Sequence, residues 1–273
     1  MDIGVLGALD VKVRGVSITP TAPKPRQILA LLASRVDHLV PVEVLTEELW
    51  GSRPPRSART TLQTYVLQLR ELITAALASG TGPGGEQGLG AKDVLVTLPG
   101  GYRLAGSGGG CDAREFEMLA GRGYRAMDAG DFTQASALLR QALGLWSGDA
   151  FADVRMGTQL QGEAWRLDES RLCALEQCFD AELRLGRHRE LLSELTVLVN
   201  RHCTHENLHA QFMLALYRSG RRGEALHVFQ RLRSTLVREL GLEPSAPVRR
   251  LQRSILMAAP DAPAGAAVPS LTA

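Results

Sequence analysis

Lysine is nearly missing from this chain. It occurs only at Lys12, Lys24 and Lys92, so arginine carries almost all the positive charge. With abundant alanine, this bias fits a GC-rich genome and says nothing of mechanism. Net charge is also scarce: the formal value is +2, too small to demand a nucleic-acid partner. Such a partner has to be read from local clustering instead. No run of eighteen apolar residues exists, which excludes a helical membrane span. The N-terminus lacks a basic segment followed by an apolar one, so no signal peptide is expected. The four cysteines, Cys111, Cys173, Cys178 and Cys203, are irregularly spaced and fit a reducing cytoplasm better than a disulfide framework.

Catalytic signatures are lacking as well. There is no Gly-x-Ser-x-Gly elbow and no HExxH. The glycine-rich stretch 80–90 lacks the Lys-Ser/Thr ending of a phosphate loop. Asp149 and Asp153 lie close together, but nothing identifies a general-acid partner. His205 and His209, four apart and near His202 and Cys203, could offer zinc a pair of helical ligands; no fourth ligand stands at a characteristic spacing. Cys173 and Cys178, five apart, fall on different faces of a helix. The expectation is a protein that is not an enzyme and that holds no metal and no cofactor.

What is present begins with Ser57–Ile73, SARTTLQTYVLQLRELI. Leu62, Val66, Leu69 and Ile73 recur at i, i+4, i+7 and i+11, one apolar stripe of a helix. The opposite face carries Ser57, Thr60, Thr64 and Gln68, flanked by Arg56, Arg59, Gln63 and Arg70. Between Gly51 and Arg70 there are four arginines and no acid. Short polar side chains permit close approach to base edges, and arginines at the ends hold phosphates. Taken alone, the same pattern also describes an ordinary solvated helix face.

Its neighbours give it context. Upstream, Pro25–Ser34 places Ile28, Leu31 and Leu32 on one helical face. Pro41–Trp50 does the same with Val44, Leu45 and Leu49, Pro41 standing near a helix start. Gly51-Ser52-Arg53-Pro54-Pro55 then breaks the chain. Downstream, Asp93–Ala105 alternates Val94, Val96 and Leu98, turns at Pro99-Gly100-Gly101 and resumes with Tyr102 and Leu104, a hairpin pattern. Met1–Ile18 alternates apolar and polar residues around glycine breaks, which suggests short strands. Strands, three helices and a hairpin make a winged helix-turn-helix, with the third helix in the major groove and the hairpin as its wing.

The runs KPRQILALLA, VEVLTEELWG, TTLQTYVLQLR and LPGGYRL resemble the DNA-binding domain of the Streptomyces antibiotic regulatory protein (SARP) family. These are actinobacterial activators of secondary-metabolite gene clusters. More distantly the domain resembles the OmpR/PhoB-type output domain of response regulators. The resemblance spans roughly Met1–Leu256. It implies that Thr60, Tyr65 and Arg70 hold phosphates and that Gln68 reads a base; Thr61, Gln63 and Thr64 join the candidate contact set. The implied wing is Gly100, Gly101, Tyr102 and Arg103, although Leu98 stands where response regulators carry a wing arginine. Tyr102 and Arg103 fit a DNA contact and a structural role equally. The resemblance also places a transactivation loop at Gly51–Arg56, where Arg53, Pro54 and Pro55 would meet RNA polymerase, sigma region 4 being the natural neighbour.

A glycine-rich insertion, Ser79–Gly90, interrupts the first domain, and Gly106–Gly110 leads to Asp112, which can cap a helix. The expected domains are 1–106 (α+β, winged helix-turn-helix) and 111–257 (all-α), followed by a disordered tail at 258–273 rich in Ala and Pro. Within the helical half, Gly130, Gly186 and Gly220 each precede a small or apolar residue five positions on: Ala135, Leu191 and Ala225. Gly186 and Gly220 are 34 apart, the tetratricopeptide period. The resemblance names this half the bacterial transcriptional activator domain.

Larger relatives attach an ATPase domain and sensor repeats; this sequence reads as a small, stand-alone member without a receiver domain. The expected function is sequence-specific activation of a secondary-metabolite cluster. Two protomers would bind direct repeats in double-stranded promoter DNA near the −35 region and recruit the polymerase holoenzyme. Two other readings remain open: a tetratricopeptide-type scaffold tethered to nucleic acid, and a repressor using the same DNA-binding domain.

Overall fold

The computed structural model describes residues 1–79, 89–106 and 108–257. The expected tail at 258–273 and nearly all of the glycine-rich insertion lie outside them. Contacts divide the chain into two compact units, one of Met1–Leu119 with Gln141–Leu172 and one of Ala120–Arg140 with Cys173–Ala273.

The first unit opens with a three-stranded antiparallel sheet of β1 (Asp2–Gly4), β2 (Asp10–Val13) and β3 (Val16–Ser17). Helices α1 (Pro23–Ser34), α2 (Val42–Trp50) and α3 (Ala58–Ser79) pack on one another, with the two-residue strand β4 (Val40–Pro41) between the first two. A single turn, α4 (Ala91–Val94), leads into the hairpin β5 (Leu95–Leu98) and β6 (Gly101–Leu104). The hairpin thus begins later than the alternation Val94–Val96–Leu98 predicts. Asp93 accepts from Gly90 N–H, which closes the α4 turn, and Val94 and Leu95 are both buried. Gly100 has φ +86°, the value required at the third residue of a Pro-Gly type II turn. Strand order β4-β6-β5 attaches the hairpin to the three-helix core. This is the expected winged helix-turn-helix.

The helical stripes read from the sequence point inward. Ile28, Leu31, Leu32, Leu45, Leu62, Leu69 and Ile73 are essentially inaccessible, each side chain contributing about 1.5–3 kcal/mol relative to exposure.

Residues beyond the expected boundary at Gly106–Gly110 also belong to this unit, for a hydrogen-bonding reason. Asp112, the first residue of α5 (Asp112–Asp128), accepts from Val5 N–H at 2.8 Å and Leu6 N–H at 2.9 Å. Ser147, Phe151 and Ala152 donate backbone N–H groups to Leu6, Val5 and Gly7 at 2.9–3.0 Å. Leu9 N–H reaches Asp153 Oδ1 at 2.8 Å, and Asp153 also pairs with Arg26 at 2.5 Å. Phe151 sits at φ +53° and is fully buried, an unfavourable backbone for a bulky residue that the surrounding bonds hold in place. Burial of Asp112 pushes its carboxyl above the ordinary range, and the three backbone N–H groups it accepts oppose that shift.

Glu48 of α2 is tied down more completely. It is only 2 % exposed, and its carboxylate accepts from Gly157, Gln159 and Leu160 N–H at 2.6, 2.9 and 3.1 Å, and from Gln27 Nε2 at 2.8 Å. It therefore caps α7 (Thr158–Arg184) at its positive end. Gly157 is required for this approach, since a Cβ there would lie 2.2 Å from the Glu48 carbonyl oxygen.

The second unit is helical. It takes parts of α5, α6 (Phe132–Leu143) and α7, then α8 (Leu192–Arg201), α9 (Glu206–Arg218), α10 (Arg222–Leu240) and α11 (Ala246–Leu256). The repeat glycines Gly130, Gly186 and Gly220 have φ of +75°, +82° and +81°, each between two consecutive helices. Ala135, Leu191 and Ala225 are buried five residues after each turn. These are the helix-pair turns that the sequence repeat predicts. Half-buried Arg140 bridges the buried Glu182 at 2.6 Å and the half-buried Glu194 at 2.8 Å. Next to them the Cys178 thiol is buried, which pushes its pKa up to about 12, while Cys173 is exposed on another face.

Candidate nucleic-acid interface

Helix α3 has 22 residues, about 33 Å of helix, and its two faces differ sharply. Ala58, Leu62, Val66, Leu69, Ile73 and Ala76 are buried. On the other side Arg59, Thr60, Gln63, Thr64, Leu67, Gln68 and Glu71 are exposed, while Thr61 and Tyr65 are half-buried at the margins. Thr60, Gln63, Thr64 and Leu67 are spaced i, i+3, i+4, i+7 and form one stripe. Thr64 Oγ1 donates to the Thr60 carbonyl at 3.1 Å, so its proton is turned back onto the helix. The face is uncharged from Thr60 to Gln68, with Arg59 before it and Glu71 the first acid after it.

The segment before α3 is basic and exposed. Gly51, Arg53, Pro54, Pro55 and Arg56 all face solvent. Prolines lack the N–H that helix continuation needs and disfavour the helical region for the residue before them. The turn is pinned at both ends: Gly51 N–H donates to Glu47 at 2.7 Å, and Ala58 N–H to Pro55 at 2.9 Å. It leaves α2 three residues after the anchored Glu48.

Arg70, expected on a phosphate, has a different principal engagement. Its Nε and Nη2 donate to the Leu95 carbonyl at 3.2 and 2.7 Å, and Nη2 also reaches Thr97 Oγ1 at 2.7 Å. The guanidinium therefore braces β5 against α3. Thr97, the hydroxyl that completes the brace, was not among the sequence candidates; no local pattern marks it, because its partner is 27 residues away.

In the wing, the structural alternative describes Tyr102. It is 8 % exposed and lies in the central strand of the sheet, opposite Thr97 on one side and Val40 on the other. Arg103 is half-buried. Its charge helps to hold the Asp37 carboxyl below the usual range, behind the larger effects of Gly106 N–H and Arg114. The exposed tip is Pro99-Gly100, with Thr97 exposed and Leu98 half-buried beside it. Neither tip residue carries a charge, and the basic group nearest in the bonding pattern is Arg70, on Thr97.

The histidine cluster has structural partners. His205 Nδ1 accepts from Leu208 N–H at the start of α9, and its Nε2 lies 3.0 Å from Glu176. His209 Nδ1 bonds the His205 carbonyl at 2.9 Å. Among the described residues no group of three or more His, Cys, Asp or Glu is arranged to hold a metal. Nor is any described helix long and apolar enough to cross a membrane.

Comparison with known proteins agrees with this architecture. Residues 111–256 match the bacterial transcriptional activator domain. The chain is 51% identical to the regulatory protein DnrI of Streptomyces peucetius over 98% of its own length and 99% of that protein. It is 38% identical to the regulatory protein AfsR of Streptomyces coelicolor over 94% of its own length, though only 24% of that longer chain is covered. Among solved structures, Mycobacterium tuberculosis EmbR in complex with a low-affinity phosphopeptide superposes with a TM-score of 0.83 at 32% identity, covering 95% of this chain and 66% of that one. The chain belongs to the SARP family of transcriptional activators, with a winged helix-turn-helix followed by a bacterial transcriptional activator domain.

Proposed function

We propose that this activator recognises double-stranded promoter DNA through the exposed face of α3 and recruits RNA polymerase through the turn that precedes it. The observation that carries the reading is that face itself: a helical stripe of Thr and Gln, free of acid until Glu71 and preceded by exposed Arg53, Arg56 and Arg59. In a B-form major groove, Gln68 meets a base edge, where an amide pairs with adenine N6 and N7, and Gln63, about 140° around the helix, reaches bases or sugars from the other margin of the face. Thr60, Thr61, Thr64 and Tyr65 line the groove wall, and Arg56 and Arg59 neutralise phosphates. Arg70 acts chiefly by fixing the hairpin, with Nη1 outside its bonds to β5. The wing approaches the backbone with its Pro99-Gly100 tip, while Tyr102 and Arg103 hold the hairpin in shape.

Arg53, Pro54 and Pro55 form the polymerase contact, directed at sigma region 4. Two protomers occupy direct repeats about one helical turn apart, a spacing of roughly 10–11 base pairs, overlapping the −35 region of a secondary-metabolite cluster promoter. Membership of the SARP family supports that target class.

Footprinting with a salt titration tests the reading. Total affinity falls steeply with salt, while preference for the promoter over scrambled DNA persists. Inserting half a turn between the repeats abolishes cooperative protection. Equal binding to scrambled DNA at every salt concentration refutes the base-reading role of α3.

A further inference from the structure

Leu67 stands among hydrogen-bonding groups on the face where the fold has no use for it. It is 56 % exposed, while Val66 beside it is 2 % exposed. It continues the stripe Thr60, Gln63, Thr64, opposite the buried Leu62, Val66, Leu69 and Ile73. A single exposed leucine is ordinary on a protein surface. This one lies centrally on a face whose other members are polar, and that position is informative.

We propose that Leu67 packs against a thymine 5-methyl group in the major groove and so determines sequence preference at that base pair. The inference rests on the reading of α3 as the groove helix. Thymine alone among the four bases presents a methyl group at the groove edge, beside its O4 acceptor. A leucine offers that group an apolar surface and offers the amino and carbonyl groups of the other bases no hydrogen bond. Thr64 reinforces the choice, because its hydroxyl proton is already bonded to the Thr60 carbonyl one turn back.

The geometry favours one methyl over an apolar protein partner. The other exposed large apolar residue on α3 is Leu72, 38 % exposed and five residues on. Five residues correspond to about 140° around the helix, so Leu72 lies well off the stripe. Leu67 is therefore an isolated apolar point rather than part of a docking patch. The charge is uneven along the stripe: Arg53, Arg56 and Arg59 lie toward its N-terminal end and suit phosphates there, while exposed Glu71 stands one turn beyond Leu67 and favours a base edge over a phosphate at that end.

The test uses the full chain and duplexes selected by it from a random pool. Each thymine of the selected site is replaced in turn by deoxyuridine, which removes the methyl and keeps every hydrogen bond. Wild-type protein loses about four-fold in affinity at one or two positions, the worth of one buried methyl. Leu67→Ala abolishes that loss at those positions and keeps any sensitivity elsewhere. Circular dichroism confirms that the variant is folded, and the uracil scan on wild type stands without it. The proposal is overturned if uracil is neutral at every position, or if Leu67→Ala and wild type respond identically throughout. Weakening of Leu67→Ala by the same factor on thymine and uracil DNA overturns it as well, in favour of a protein contact. A pool that yields no selected sequence defeats the groove-helix reading itself, a separate and distinguishable failure.

Discussion

Replacing Glu48 by alanine tests how the winged unit is held together. The carboxylate accepts from three backbone N–H groups at the start of α7 and from the Gln27 amide. Each buried donor left without a partner costs about 1–3 kcal/mol. Gly157 and Gln159 are half-buried, so entering water recovers part of that penalty, and Leu160 bears the full one. The expected loss for Glu48→Ala is then about 3–5 kcal/mol, the sum of these unpaired donors. Glu48→Gln keeps one carbonyl acceptor and should lose about half as much. Urea unfolding followed by far-ultraviolet dichroism measures both. Gly157→Ala is an independent check, since its Cβ would collide with the Glu48 carbonyl oxygen and crowd its carboxyl carbon. A Glu48→Ala protein within about 1 kcal/mol of wild type, the worth of an ordinary single hydrogen bond, would show that the capping network contributes little. A Glu48→Gln variant as damaged as Glu48→Ala would assign the effect to charge instead.

Gln68→Ala should lose roughly 1–3 kcal/mol on a specific site and relax preference at one or two base pairs. Arg56→Ala should weaken specific and scrambled DNA alike and flatten the salt slope by about one; equal behaviour of the two variants on both DNAs would remove Gln68 as a reader. Arg53→Glu should leave promoter affinity within a few-fold while transcription in a purified system falls sharply, and a matched loss of both would make the turn part of the DNA footprint. Burial lowers the pKa of His209 below its ordinary 6.5. The unfolded chain then binds the proton more readily, so stability is full above that value and declines as pH falls below it. His209→Gln should flatten this decline in urea unfolding between pH 7 and 5, and an unchanged slope would refute the assignment.

The parts of the fold legible in the sequence were those with a short period. The stripe Leu62–Val66–Leu69–Ile73, the Pro99-Gly100 turn and the glycines at 130, 186 and 220 each state a local geometry that packing then respected. Contacts between distant segments left no such trace. Asp112 reads as a helix cap, but its carboxylate also holds Val5 and Leu6, over a hundred residues away. Glu48 sits in an amphipathic helix like any solvated acid, and only the arrival of 157–160 explains its burial. Arg70 reads as a phosphate ligand, and nothing local foretells that its Nε and Nη2 also meet two acceptors on β5 once the hairpin folds back onto α3. Tyr102 belongs to the same class, since its burial depends on β4 and β5 flanking it. Leu67 escaped notice for the opposite reason: single exposed leucines are common, and its meaning comes from the polar residues around it.

On the proposed binding mode, the bond from Arg70 to Leu95 and Thr97 carries a consequence for the duplex. It joins the long helix and the wing into one stiff caliper whose jaws open to a single width. A caliper of fixed width leaves the adjustment to the other body. DNA that is to seat α3 and the Pro99-Gly100 tip together must supply the matching groove width, by bending or untwisting where its steps are soft. Flexible pyrimidine–purine steps between the two contact points would then raise affinity without touching a side chain. Cutting the brace with Arg70→Met would loosen the jaws and pass part of that adjustment back to the protein.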